Sequence, residues 1–319
     1  MPAAYTIGID LGGTNLRGGL CDDEHVVRTH AAIDTEAERG FEHVLARMVT
    51  LVEALLQNAA LTKADVRAIG IGAPGPLSHT EGIIFDAPNL PGWRNIPLRQ
   101  RLAEAAGLPV VLENDANAAA YGEFVAGAGR AVRSLVLLTL GTGIGGGIVL
   151  DGQLWRGCDD SAGEMGHTII VPEGRPCPCG QAGCLERYAS ANAVAERLVE
   201  AVRAGEPSSL REEIEAGAGL DARDVLRAAE RGDTLAARVW DQTCYYLALG
   251  CINLERLLSP ELIVFSGGLI NAGEHLLTPV RQYINKLRWH IPTQPPRIAL
   301  AELSGDAGII GAAALARLS

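Results

Sequence analysis

Tyr5-Thr-Ile-Gly-Ile-Asp10-Leu-Gly-Gly-Thr-Asn-Leu-Arg-Gly-Gly-Leu20 reads as a strand, a glycine turn and a second strand. The plan returns in Leu135-Val-Leu-Leu-Thr-Leu-Gly141-Thr-Gly-Ile-Gly-Gly-Gly-Ile-Val-Leu150. Glycine lets a ligand approach the main chain, so each turn can aim several N–H groups at phosphate oxygens. The repetition suggests duplicated domains facing one ligand. Taken alone, Asp10 to Asn15 could be only a tight hairpin. A strand-end aspartate beside such a turn, however, is well placed to orient Mg2+ through its water shell. The first turn is not a Walker loop, because no Gly-Lys-Ser/Thr closes it. Nor is it a dinucleotide G-x-G-x-x-G, because a strand follows it. Five glycines within Gly141 to Gly147 are costly unless close backbone approach is needed, which favours phosphate there.

Working outward, Val66 to Ala73 and Val110 to Glu113 read as buried strands, and Phe41 to Ala60 carries apolar residues at helical spacing. Segments 189–204, 221–231 and 234–258 are expected as helices. Glu261 to Ser266 is expected as a strand entering the turn Gly267-Gly268. Asp306 opens a closing helix at its positive end. The boundary is expected near 127–133, giving an N-terminal α/β domain over 1–127, joined by the closing helix 306–319, and a C-terminal α/β domain over 128–305. Glu113-Asn114-Asp115 follows a strand and opens an alanine-rich helix. Taken alone that pattern reads as a helix cap, with a carboxylate that accepts a hydroxyl proton at a strand's carboxyl end as the functional alternative that context must decide.

Glu164-Met-Gly-His167 and Cys177-Pro-Cys179-Gly-Gln-Ala-Gly-Cys184-Leu-Glu186 bring one imidazole and three thiols within reach of one metal ion. Zn2+ takes four tetrahedral ligands, and four protein ligands leave no place for a reacting water, so the ion is expected to be structural. Gly180 and Gly183 are expected to let the loop fold back. The second ring nitrogen of His167 and the carboxylates of Glu164 and Glu186 would then be held in fixed directions as a pocket wall. The remaining thiols, Cys21, Cys158, Cys244 and Cys251, are expected to be small packing residues.

With 319 residues, 48% hydrophobic and 20% charged, the chain can bury two cores and is not disordered. Its formal charge of −11 offers no basic face to nucleic acid or anionic membrane, so phosphate must meet backbone amides. No export signal is expected, because Met1 to Tyr5 passes directly into a strand-like run, and no membrane span, because the longest apolar run, 135–150, is broken by glycines; the expected location is the cytoplasm.

These motifs resemble the ROK family of sugar kinases and related repressors over nearly the whole chain. The resemblance is most specific in the Cys177 to Glu186 segment behind Glu164 to His167. It implies an actin-like (ribonuclease H-like) duplicated two-domain α/β fold with a structural zinc site, and ATP and sugar in the cleft between the domains. Carried onto matching positions, it implies Zn2+ on His167, Cys177, Cys179 and Cys184, and Asp115 as general base. Asn114, Glu164, His167 and Glu186 would hold sugar hydroxyls, and Gly75 and Asn89 lie in loops similar to sugar-facing ones. Asp10, Gly12, Gly13, Thr14, Asn15, Gly141, Thr142, Gly143, Gly267 and Gly268 resemble the segments that contact ATP with its Mg2+. A homo-oligomer, dimer or tetramer, is also implied.

Family repressors carry a DNA-binding module ahead of the first turn, and none fits before Tyr5. The short interval from Thr168 to Pro176 resembles the glucokinase and N-acetylmannosamine kinase branches. The implied reaction is transfer of the γ-phosphoryl group of ATP to a hexose 6-hydroxyl. Glucose comes first, with N-acetylmannosamine, mannose, fructose and N-acetylglucosamine as alternatives. A non-catalytic sugar sensor and an actin-like ATPase are the rival classes, disfavoured by the intact phosphate turns and by the Cys/His knot respectively.

Overall fold

The strands are β1 (Tyr5–Leu11), β2 (Asn15–Cys21), β3 (Val27–Asp34), β4 (Val66–Ala73), β5 (Leu77–Ser78), β6 (Ile83–Asp86), β7 (Arg94–Ile96), β8 (Val110–Asn114), β9 (Leu135–Leu140), β10 (Ile144–Leu150), β11 (Gln153–Leu154), β12 (Leu262–Ser266) and β13 (Arg297–Leu300). The helices are α1 (Phe41–Asn58), α2 (Leu98–Ala106), α3 (Asp115–Val125), α4 (Glu186–Ala189), α5 (Ala191–Arg203), α6 (Arg211–Glu215), α7 (Ala222–Glu230), α8 (Thr234–Leu258), α9 (Glu274–Leu287) and α10 (Ala307–Leu318). The computed structural model describes residues 4–87, 89–289 and 294–318. The sheets run β3-β2-β1-β4-β8, β11-β10-β9-β12-β13 and β5-β6-β7. Both larger sheets mix parallel and antiparallel pairs, which confirms the expected α/β class.

Contacts cluster into two units, residues 1–135, 147–163 and 302–319 in one, and 136–146 and 164–301 in the other. In the first, β1 and β4 are buried on both faces, with Ile7, Ile9, Ile69 and Ile71 fully enclosed. The apolar stripe of α1, including Val44, Met48, Leu51 and Leu55, joins the same core. Closing helix α10 packs on β1, β4 and α3, and glycine is what lets it come so close. A Cβ on Gly8 would land on the Ile309 carbonyl, and one on Gly70 on the Ala312 carbonyl. In the second unit α8 is the central helix, packed by α4, α5, α7 and α9. It starts where the Asp233 carboxylate caps the Ala236 N–H.

The expected strands and helices fall where their periodicity placed them. Among the elements not anticipated, α9 has Pro279 inside it, which obscures its helical pattern. The expectation for the four remaining thiols holds for three. Cys21, Cys244 and Cys251 are buried, and burial pushes each thiol up to about 12. Cys158 is exposed, because it lies in a polar loop with Asp159 and Asp160 rather than on a buried face. Among the described residues no helix is long and apolar enough to cross a membrane.

Candidate active site

In the first unit β1, β4 and β8 are parallel, and their register sets Asp10 beside Gly72 and Gly72 beside Glu113. Asp10, Asn114 and Asp115 therefore cluster at the carboxyl edge of the sheet, where α/β folds place ligand-binding groups. The 12–15 turn is closed by Gly12 N–H to Asn15 O at 3.0 Å, and Thr35 N–H reaches Thr14 O at 2.8 Å. Gly13 is packed against Asn89, whose carbonyl oxygen would lie 2.6 Å from an added Cβ. Asp10 is ion-paired with Arg17, its partner across β2. This cation was not anticipated, although the β-hairpin register makes it inevitable.

Asn114 caps α3, its Oδ1 accepting from the N–H groups of Ala116 (3.0 Å) and Asn117 (3.1 Å). The cap and the site reading are compatible. The Nδ2 of Asn114 stays on the other side, 3.5 Å from where a Cβ on Gly75 would sit. Asp115 is exposed at the first position of the helix. Below it Glu113 is buried, accepting from Arg156 Nε at 2.7 Å, Asn117 Nδ2 at 3.0 Å and the Asn114 N–H at 3.0 Å. Glu113 and Arg156 thus hold the strand end that presents Asp115. No motif announces this pair, because a buried carboxylate is legible only once its cation is known.

In the second unit the cysteine loop closes as a miniature ladder, with bridges Ile169 to Cys184 and Pro176 to Ala182. Gly180 (φ 93°) and Gly183 (φ 85°) take left-handed backbone angles, as expected for a fold-back. The ligand atoms of His167, Cys177, Cys179 and Cys184 all lie within 4.8 Å of one another. Cys179 and Cys184 sulfurs are 3.7 Å apart, and Cys177 sulfur is 3.7 Å from His167 Nδ1. A tetrahedron with Zn–S bonds of about 2.3 Å has edges of ~3.8 Å, so the donors fit Zn2+ in number, type and spacing. Burial and the neighbouring Cys177 and Cys179 thiols push Cys184 up to about 12. A dication among them would offset that crowding.

His167 turns Nδ1 to the sulfurs and leaves Nε2 3.9 Å from a carboxylate oxygen of Glu164, itself exposed. Glu186 Oε2 accepts the Ile144 N–H at 2.9 Å. Its carboxylate fills the space that a side chain on Gly143 would need. That glycine makes room for protein, not only for phosphate. Gly267 (φ 84°) turns the chain after β12, its added Cβ meeting the Leu140 backbone at 2.7 Å. A cavity of about 470 Å3 is lined by Gly141, Thr142 and Gly268 together with Arg223, Leu226 and Glu230 of α7. A larger cavity of about 810 Å3 beyond α7 contains none of the expected residues, and its Asp233 is engaged by Ser208 and Ser209. The smaller cavity is therefore the candidate nucleotide site. Its α7 wall was missed because it lies far along the chain and carries only an amphipathic pattern.

The ROK family profile matches residues 6–318. The chain belongs to the ROK family. The glucokinase of Halalkalibacterium halodurans is 37% identical over 312 residues, covering 98% of this chain and 94% of that protein. The ROK hexokinase of Thermus thermophilus superposes with a TM-score of 0.84 at 34% identity, covering 98% of each chain. A ROK glucokinase from Streptomyces griseus, crystallised with glucose and AMPPNP, superposes with a TM-score of 0.78 at 32% identity, covering 99% of this chain and 100% of that one. The expected fold, that of the actin-like ROK sugar kinases, is confirmed.

Proposed function

We propose that the protein is an ATP-dependent hexose kinase that phosphorylates the 6-hydroxyl of glucose. The observation that carries this reading is the carboxylate of Glu186. It reaches from the Cys/His loop to the backbone of the Gly141 to Gly147 turn, so hydroxyl-accepting groups stand beside a phosphate-directed turn. The glucose and nucleotide analogue held by the Streptomyces griseus relative support it.

Sugar hydroxyls are held by Asn114, Glu164, His167 and Glu186, whose amide, imidazole and carboxylates match neutral donors and acceptors. A site built this way penalises an analogue that lacks a hydroxyl. Gly75, close to the Asn114 amide, and Asn89 would lie in sugar-facing loops. Asp115 accepts the proton of the 6-hydroxyl as that oxygen attacks the γ-phosphorus, and ADP leaves. The Asp10 to Asn15 turn, Gly141 to Gly143 and Gly267-Gly268 hold the nucleotide through backbone N–H groups. Mg2+ bound with ATP would shield phosphate charge, and Asp10 is the carboxylate placed to hold its water shell. Zn2+ on His167, Cys177, Cys179 and Cys184 would fix the direction of the imidazole and supplies no step of its own.

The domain assignment we favour follows the duplicated turns, 1–127 with 306–319 and 128–305. A kinetic screen over glucose, mannose, fructose, N-acetylglucosamine and N-acetylmannosamine tests the sugar. Glucose is expected to give the highest kcat/KM, and a preference of tenfold or more for N-acetylmannosamine would replace glucose with that substrate.

A further inference from the structure

We propose that Glu186 is a positioning residue shared by both substrates, through which sugar binding tightens nucleotide binding. This inference rests on the kinase reading above. The two oxygens of Glu186 have different partners. Oε2 accepts the Ile144 N–H at 2.9 Å, whereas Oε1 takes no hydrogen bond among the described residues. The segment carrying Glu164 and His167 meets the same residue from another side, since a Cβ on Gly166 would land on the Ile144 carbonyl. Ile144, within the glycine turn, is thus the residue that the hydroxyl-accepting set touches, and Gly143 lacks a side chain where the carboxylate lies.

Two consequences follow from charge. The Ile144 N–H is engaged by a carboxylate and does not serve phosphate. A negative charge one residue from a phosphate-directed turn also opposes the arrival of ATP, an interaction only weakly screened when partly buried. A sugar hydroxyl that donates to Oε1 disperses that charge and fixes the carboxylate on Ile144. The turn then accepts phosphate more readily, and nucleotide binding before the sugar, with its risk of transfer to water, is disfavoured. Because the coupling is thermodynamic, nucleotide must tighten sugar binding by the same factor.

The test is calorimetric titration of Mg·AMPPNP with and without saturating glucose, and the reciprocal titration, on the full chain with its zinc content and melting temperature verified. The wild type is expected to bind AMPPNP about tenfold more tightly with glucose, within the usual range of such couplings. Glu186→Gln keeps an oxygen for the Ile144 N–H but removes the charge. It is expected to bind AMPPNP several-fold more tightly than wild type without sugar, and to hydrolyse ATP faster without sugar. Gly143→Ala displaces the carboxylate from Ile144 and is expected to bring the coupling below about twofold. Wild type without coupling, or Glu186→Gln with unchanged or weaker sugar-free AMPPNP affinity, would overturn the proposal while leaving the kinase reading in place. Wild type that binds neither ligand would instead remove the kinase reading itself.

Discussion

Asp115 owes its position to its neighbours. Asn114 ends β8 by capping α3, and Glu113 beneath it is fastened to Arg156, Asn117 and the Asn114 N–H. The next residue is therefore presented on a fixed backbone while its own side chain stays exposed. Asp115 Oδ1 also accepts the Ala116 N–H at 2.8 Å, so replacing it by alanine removes the base together with one bond at the helix start. Asp115→Ala is expected to lower kcat by about 10²- to 10⁴-fold, with a fall in melting temperature of no more than about a few degrees. Stopped-time ADP release and thermal unfolding on the same sample check both halves, and near-normal kcat would assign the base elsewhere. At this scale the sequence was most legible where chemistry and spacing coincide, as in the three thiols and the imidazole that do converge. It was least legible where a glycine serves packing. Gly13 and Gly143 were read as room for phosphate, whereas Asn89 lies against the first and Glu186 against the second. Such a partner lies far away in the chain and leaves no local trace.

Caps and the metal loop decide the elements. The cysteine loop has few buried apolar residues of its own and is closed by bridges and backbone bonds such as Cys177 N–H to Gln181 O at 2.9 Å. Metal binding and loop folding should therefore be one event. Removing metal with a chelator, or Cys179→Ser, is expected to weaken glucose binding and lower the melting temperature together, measured by calorimetry and thermal shift. Full glucose affinity in verified metal-free protein would remove zinc from the account. At the start of α8, Asp233 is buried and bonded to the Ala236 N–H (3.0 Å), the Ser209 N–H (2.6 Å) and the hydroxyls of Ser208 and Ser209 (both 2.7 Å). Burial raises its pKa, but these donors outweigh it and hold the carboxyl at about 2 against an ordinary 3.8. Its contribution, about 2 kcal/mol, is then complete above about pH 5 and lost as pH falls through the folded value. Asp233→Ala should cost about that much in urea unfolding at pH 7, with the gap to wild type narrowing steadily below pH 4. A gap independent of pH would mean that the carboxylate is not the stabilising form.

For the molecule as a whole, the last helix covers the sheet of the first unit and forms a buried cluster of its own there, Ile309, Ile310 and Ala313 with Cys21. Its backbone lies directly on β1, β4 and α3, where Gly8, Gly70 and Gly122 leave no room for a Cβ beside the carbonyls of Ile309, Ala312 and Ala307. Overpacking against backbone cannot be relieved by a rotamer change, so Gly70→Ala should cost about 3 kcal/mol or more. The urea midpoint of that variant reads this directly, and wild-type stability would show that α10 can shift at little cost. The closing helix was foreseen from its composition, but not the strand glycines that admit it, because glycine in a strand pattern reads as weakness until the facing backbone is seen. The duplicated turns, by contrast, were legible because each repeats one short plan on one short stretch. Phosphorus NMR of the products after incubation with Mg·ATP and glucose reads the proposed phosphoryl transfer itself. Glucose 6-phosphate and ADP are expected in equal amounts, with little ADP when glucose is left out. ADP formed at the same rate without sugar, or no phosphate ester with any hexose, would contradict it.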